Sequence, residues 1–432
     1  MNNLKYNVKK CIGENKVIIM FIILCIAAIY TSKSPLTFVA NELFVRIGRN
    51  GFIVLALIIP VIAGMGLNFG ITIGAVAAQI AVFWVVYWGF GGIAGFLLCI
   101  LISTPLAILF GYLTGKLFNK MKGSEMIAGM VLGYFVDGLY QLLFLFVIGG
   151  IIPVNNPKLI IDGGIGVKNT IDLAGNLKYS LDDLGRLNFI YVLYIFAAVV
   201  IVLQGWQMYK KKIVDKDPSF PYKKSISVII GILVAVALTF IPTIKNIFVF
   251  VNIPIATFAC IAILCAFNGL ILKTRLGQNM RTVGQSRVVA NAAGINVDKT
   301  RIIAMIISTV LACWGQLIYL QNIGTFQTYG AHTQVAQFAI AALLVGGASV
   351  QKASSKNAII GVILFHTLFI VAPQAGKQLF DNAQLGEYFR VFVSYGVIAV
   401  SLAMHAWKTV IKKNSNKGNG DVKDGKLQPV SE

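Results

Sequence analysis

Asp137 is the side chain whose position most demands chemistry. It lies in EMIAGMVLGYFVDGLYQLLF, an apolar stretch long enough to cross a bilayer, with Gln141 one helical turn later and Tyr134 three residues earlier on the same face. A charge near the centre of a membrane span costs at least ~2.5–3.5 kcal/mol on insertion scales, so this carboxylate must face a cavity or a partner. Two roles fit it equally: hydrogen bonding to a polar solute, and a structural hydrogen bond to a neighbouring helix. Gln79, Asn268, Gln316 and His366 stand singly in other apolar stretches, and Asn68 lies between two such stretches beside a candidate helix break. Each suits an interhelical hydrogen bond, and as a set they suit a path for an uncharged, hydrogen-bonding cargo.

None of these patterns is catalytic. GYLTGKL at Gly111–Leu117 has the wrong glycine spacing for a phosphate-binding loop, and Leu117 replaces the hydroxyl that would hold magnesium. HExxH is absent, and the three histidines (His332, His366 and His405) are too scattered to form a metal set. The six cysteines form no CxxC pair, and all but Cys11 fall in apolar stretches, as buried thiols do.

The second polar feature is the segment 273–302, TRLGQNMRTVGQSRVVANAAGINVDKTR at its heart, set between two apolar stretches. Ser286–Ala293 predicts a short helix stopped by Gly294. A basic, glycine-bounded helix between two membrane spans suits docking on something outside the bilayer.

The elements that carry these residues are membrane helices. Hydrophobic residues make up 57% of the 432, charged residues 12%, and mean hydropathy is +0.79, where a soluble domain carries roughly 25% charged residues. Period-2 alternation is missing, which argues against a β-barrel. Apolar stretches fall near 17–31, 51–66, 72–88, 92–114, 126–151, 188–208, 226–244, 247–271, 303–321, 336–350, 357–373 and 389–408. Several are short enough to be half-helices, so the expectation is an all-α polytopic bundle with about ten crossings, within a range of roughly 8–12. The net charge of +21 collects in the N-terminus and in loops such as Lys116–Lys122, 209–225, 273–302 and Lys352–Lys356. The positive-inside rule puts these loops and both termini in the cytoplasm and explains the charge without nucleic acid. The resulting layout is a cytoplasmic N-terminus 1–16, a membrane domain 17–408 with an external loop 152–187, and a polar, disordered cytoplasmic tail 409–432. Gly66, Gly70 and Gly74 form overlapping GxxxG patterns. They fit either close helix packing or a broken helix beside Asn68.

At 274–352 the chain resembles the transmembrane permease subunits of bacterial ABC importers, in the branched-chain amino acid, ribose and nucleoside class. The matching pieces are the 274–301 segment with its Gly277, Gly284, Ala290, Gly294-Ile295 and Lys299 spacing, CWGQLIYLQ, and AIAALLVGGASV. GLNFGITIGA and GSEMIAGMVLGYF extend the likeness towards the N-terminus. Phe338 stands where ribose-type members often carry an acid, which points away from ribose.

The resemblance implies a permease in the bacterial plasma membrane that carries a small polar solute, a sugar or nucleoside. It implies a second permease chain (identical or sister), cytoplasmic ATP-binding cassette subunits, and an extracellular or lipid-anchored solute-binding protein. ATP and magnesium would sit in the ATPase, with no cofactor or metal in this chain. The helix at 286–293 would be the coupling helix, with Arg281 and Arg287 meeting acids on the ATPase and Gly284 and Gly294 framing it. The rival readings are an ion-coupled secondary transporter using Asp137 and a non-transporting membrane scaffold.

Overall fold

The computed structural model describes residues 16–403 except 155, 162–163, 212–221, 383, 393–394, 397–398 and 401–402. The N-terminal segment with Cys11, most of the 209–225 loop and the tail 409–432 lie outside the described residues.

The described chain is mostly helical. In order it forms α1 (Lys16–Ser32), α2 (Leu36–Ala56), α3 (Ile58–Ile62), α4 (Ile71–Tyr87), α5 (Gly92–Lys120) and α6 (Glu125–Leu142), which continues in wider turns to Ile151. Then come strand β1 (Thr170–Asp172), strand β2 (Arg186–Asn188), α7 (Phe189–Tyr209), α8 (Tyr222–Leu238), α9 (Pro242–Phe248), strand β3 (Asn252–Pro254) and α10 (Ile255–Ile271). The last part is α11 (Arg275–Gln285), α12 (Arg287–Ala292), α13 (Val297–Ile323), strand β4 (Thr325–Gln327), α14 (Ala331–Val345) and α15 (Ser355–Phe380).

Among the described residues, six helical stretches are long and apolar enough to cross a membrane, or eight if each of two sharply bent pairs counts as one span; α1, α4 and α14 are shorter apolar helices. The expected short stretch 51–66 is the end of a much longer span, Leu36–Ile62. Its first half hides from hydropathy because Glu42, Arg46, Arg49 and Asn50 interrupt the apolar run, yet all four find protein neighbours. The expected single helix in 273–302 is a pair, α11 and α12, and the segment's last residues already belong to α13.

Helix α13 is the central post, packed along α5, α4 and α2. Small residues permit this in lipid, where packing rather than water exclusion holds helices together. Gly74 of α4 lies against Thr309 and Ala312, and Gly111 and Gly115 of α5 lie against Ile306 and Ile302. Helix α15 gathers α1, α2 and α14 into a second group. Of the GxxxG patterns, only Gly74 lies within a helix: Gly66 sits in the break between α3 and α4 and Gly70 at the cap of α4.

The bundle has two distinct ends. At one, the α3–α4 break, the 121–124 turn, the α10–α13 segment and the 346–354 turn converge, with Gly64 on Gly284, Gly66 beside Val350 and Met126, and Lys122 3.4 Å from Asp298. The basic stretches Lys116–Lys122, 273–302 and Lys352–Lys356 meet here. At the other, the 152–188 segment is tied down by two antiparallel pairs, β1 with β4 (Ile171 opposite Phe326) and β2 with β3 (Leu187 opposite Ile253). These three-residue strands depart from the all-α expectation. They satisfy backbone groups at the end of the bundle, where helices have stopped doing so.

Candidate functional site

The basic end is built around α12. The Ser286 hydroxyl caps it, accepting from Val289 N at 3.3 Å. Gly294 ends it at φ +74°, a conformation that strains other residues, and Ile295 N donates back to Ala290 O at 2.9 Å. Glu125, the first residue of α6, grips this region from the side. Its Oε1 accepts from Arg287 Nη2 at 2.5 Å and from Arg301 Nη2 at 2.6 Å, and its Oε2 accepts from Gly123 N at 2.9 Å. The Arg301 side chain is fully buried and that of Glu125 8% exposed. Such a cluster persists only while every charge keeps its partner. It fastens α12 and the start of α13 to α6.

The residues named from the sequence divide into two sets. Gly277 and Ala290 are buried, and Ile295 packs with Val283, Ala290 and Val297 in a small apolar knot. Gly284 presses on the carbonyl of Ile62, leaving no room for a Cβ. These shape the element. Arg281, Gly294 and Lys299 are exposed. Arg287, expected to meet an acid on a partner, is engaged by Glu125 of its own chain. The sequence reading passed over Val288 and Val289, whose side chains stand out at 79% and 59% exposure on the free face of α12. Two adjacent valines on a short helix between polar segments were the available signal.

Arg281 and Gly284 also line a cleft of about 740 Å³ at this end, with Asn268, Gln285, Lys352 and Ser354. Asn268 donates to Leu55 O at 3.2 Å and leaves its Oδ1 without a partner in the chain.

The Asp137 face is the second site. Asp137 Oδ1 lies 2.6 Å from His332 Nε2, and Gln141 Nε2 donates to Oδ2 at 3.1 Å. The structure thus joins two of the three residues placed on one face and adds His332, which sequence spacing could not link to Asp137. Tyr134 is 69% exposed and does not join the pair. It lines a groove of about 250 Å³ between α6 and α14, with Thr72, Gly133, Thr333, Gln337 and Tyr395. Tyr395 donates to Gln337 Oε1 at 3.0 Å.

The remaining polar residues are scattered through the core. Asn68, in the α3–α4 break, and Gln79 and Gln316 are wholly buried, and neither amide atom of any of them has a partner among the described residues. Helices α4 and α13 both run antiparallel to α5, so they run alongside each other, and the Gly74 contact puts Gln79 and Gln316 at about the same level. His366 is separate, beside Phe365 and Phe369 near Arg46. Buried polar atoms without partners are costly, which is why they mark either water-bearing space or places for a hydrogen-bonding guest. No cluster of metal-ligating side chains occurs among the described residues.

At the opposite end Asp182 is buried, 2% exposed. It accepts from Asn322 Nδ2 at 2.6 Å, from Gln321 Nε2 at 2.9 Å and from the Thr257 hydroxyl. Arg49 Nε reaches the same cluster through Asn322 Oδ1 at 2.7 Å.

Several apolar spans, with buried polar groups between them, define a multi-pass membrane protein. The chain belongs to the family described as the branched-chain amino acid transport system permease component, whose model matches residues 39–402. That places it in the bacterial plasma membrane. The xylose transport system permease protein XylH of Haemophilus influenzae is a relative, 30% identical over 135 residues. The match covers 31% of this chain and 34% of XylH, about a third of that relative's length. No solved structure matches.

Proposed function

We propose that this chain forms the membrane pathway of an ATP-driven importer for a small polar solute, a sugar or nucleoside. In this reading the basic end is cytoplasmic, the strand-bearing end is external, and about ten segments cross with both termini inside. Segment 273–302 is the coupling loop, α12 its coupling helix, and 152–187 faces a solute-binding protein. A second permease chain completes the pathway. Two ATP-binding cassette subunits supply the work and hold the nucleotide and magnesium.

The observation that carries this is the tie through Glu125. A push on α12 passes through Arg287 and Glu125 directly to α6, and α6 is the helix that bears Tyr134 and Asp137. The exposed valines 288 and 289 offer an apolar knob for a groove on the ATPase, with Arg281 and Lys299 available for its rim. The likeness to XylH supports a sugar over an amino acid.

The test is uptake of D-xylose by proteoliposomes holding the chain with its ATPase and binding protein. Uptake is expected to require ATP, and Val288→Glu is expected to reduce co-purification of the ATPase at least tenfold. Accumulation driven by an ion gradient without nucleotide would favour a secondary transporter and sink the reading.

A further inference from the structure

The groove between α6 and α14 stops beside, without being lined by, a pair of side chains that the coupling end does not use, Asp137 and His332. Asp137 stands one turn along α6 from Gly133 and Tyr134, and His332 immediately precedes Thr333; all three neighbours line the groove. The His332 side chain is fully buried, whereas that of Asp137 is 20% exposed. Tyr140 backs the imidazole with ring centroids 5.0 Å apart, so the ring is held in place.

A carboxylate offers about four lone-pair sites. The contacts from His332 and Gln141 use two of them. The remaining acceptor capacity belongs to a side chain that is 20% exposed and one turn along α6 from the groove-lining Gly133 and Tyr134. The groove lining itself carries no charge: it is mostly apolar, with Phe69, Met130, Ala336 and Ile340, and its polar groups are the hydroxyls of Thr72, Tyr134, Thr333 and Tyr395 and the amide of Gln337. At roughly 30 Å³ per water, a space of about 250 Å³ suits a solute of on the order of ten heavy atoms.

Resting on the transport reading above, we infer that Asp137, oriented by His332, determines the charge class of the solute. The carboxylate accepts two hydroxyls of a neutral polyol, and charge assistance makes these hydrogen bonds strong. An anionic solute meets a like charge in a poorly screened site and is turned away. A solute carboxylate finds no cation along the groove lining. His332 is a positioning residue: it touches the carboxylate, and the carboxylate touches the solute.

The experiment uses the full complex in proteoliposomes with D-xylose, D-ribose and uridine as neutral probes, and D-galacturonate and D-glucuronate as anionic, carboxylate-bearing ones. The wild type is expected to move at least one neutral probe at least tenfold faster than either carboxylate. Asp137→Asn is expected to raise KM for that probe about tenfold with kcat within twofold, and to narrow the discrimination against D-galacturonate. His332→Gln, which keeps a donor, is expected to recover most of the KM lost in His332→Ala. Should Asp137→Asn fail to assemble, Tyr134→Phe is expected to raise KM about threefold while leaving the pair intact. An unchanged KM in these variants, preferential uptake of a carboxylate probe, or ATP hydrolysis with no neutral probe moved would overturn the inference alone. Absence of both nucleotide-dependent uptake and hydrolysis would overturn the transport reading, and this inference with it.

Discussion

Each end of the bundle is held by one buried carboxylate, and the two are solved differently. Glu125 at the basic end is answered by two guanidiniums, Arg287 and Arg301. Asp182 at the opposite end is answered by the neutral donors Gln321, Asn322 and Thr257, with Arg49 one residue removed. Charge-on-charge contacts are strong at short range but fall apart asymmetrically when one member leaves. A carboxylate ringed by amides and a hydroxyl loses its bonds one at a time. The basic end is therefore suited to moving as a unit, and the opposite end to staying put. In the proposed importer this would let one side be pushed while the other stays anchored.

The largest effect should come from Glu125→Ala. It strands the buried Arg301 guanidinium, for which about 3–5 kcal/mol of destabilisation is expected, read as thermal unfolding of the purified full chain. Glu125→Asp should recover part of it. A loss smaller than that of the matching Asp182 variant would break the comparison. Asp182→Asn should cost about 1–3 kcal/mol, since donors facing the new amide lose an acceptor. It should loosen the 152–188 segment to added protease without altering ATPase co-purification.

The smallest effect concerns Tyr329, whose hydroxyl donates to Val167 O at 2.8 Å beside the β1–β4 pair. Burial pushes this phenol up from about 10 to about 12. A pKa raised in the folded state gives stability that is complete below pH 10 and lost as pH climbs through 12. Tyr329→Phe should cost about 0.5–1.5 kcal/mol and should flatten that alkaline decline. A decline that persists unchanged would assign it to another group.

The membrane class was legible because burial in lipid leaves a compositional mark. The end of α12 was legible because Gly294 acts within a few residues of itself, whereas Ser286, expected as the first helical residue, is its cap. Asp137 announced that it needed a partner without naming one, since His332 is brought to it only by the packing of α14 against the start of the bundle. Glu125 had a fainter signal, an acid opening an apolar stretch after a turn rich in lysine. The first half of α2 was lost for the opposite reason: Arg46 and Arg49 look like loop residues until Phe369, Tyr319 and Asn322 supply what water otherwise would. Strands of three residues are too short to show alternation at all.

The β1–β4 ladder has a consequence for biogenesis. Residues 170–172 leave the ribosome long before 325–327, their partners. At roughly 5–20 residues per second, that gap lasts on the order of ten to thirty seconds. Throughout it Ile171, fully covered in the finished protein, waits beside an unfilled edge, which the proposed topology puts on the far side of the membrane. This cap is thus among the last parts to close, and a nascent chain halted before residue 325 would present that edge to any chaperone or protease working there.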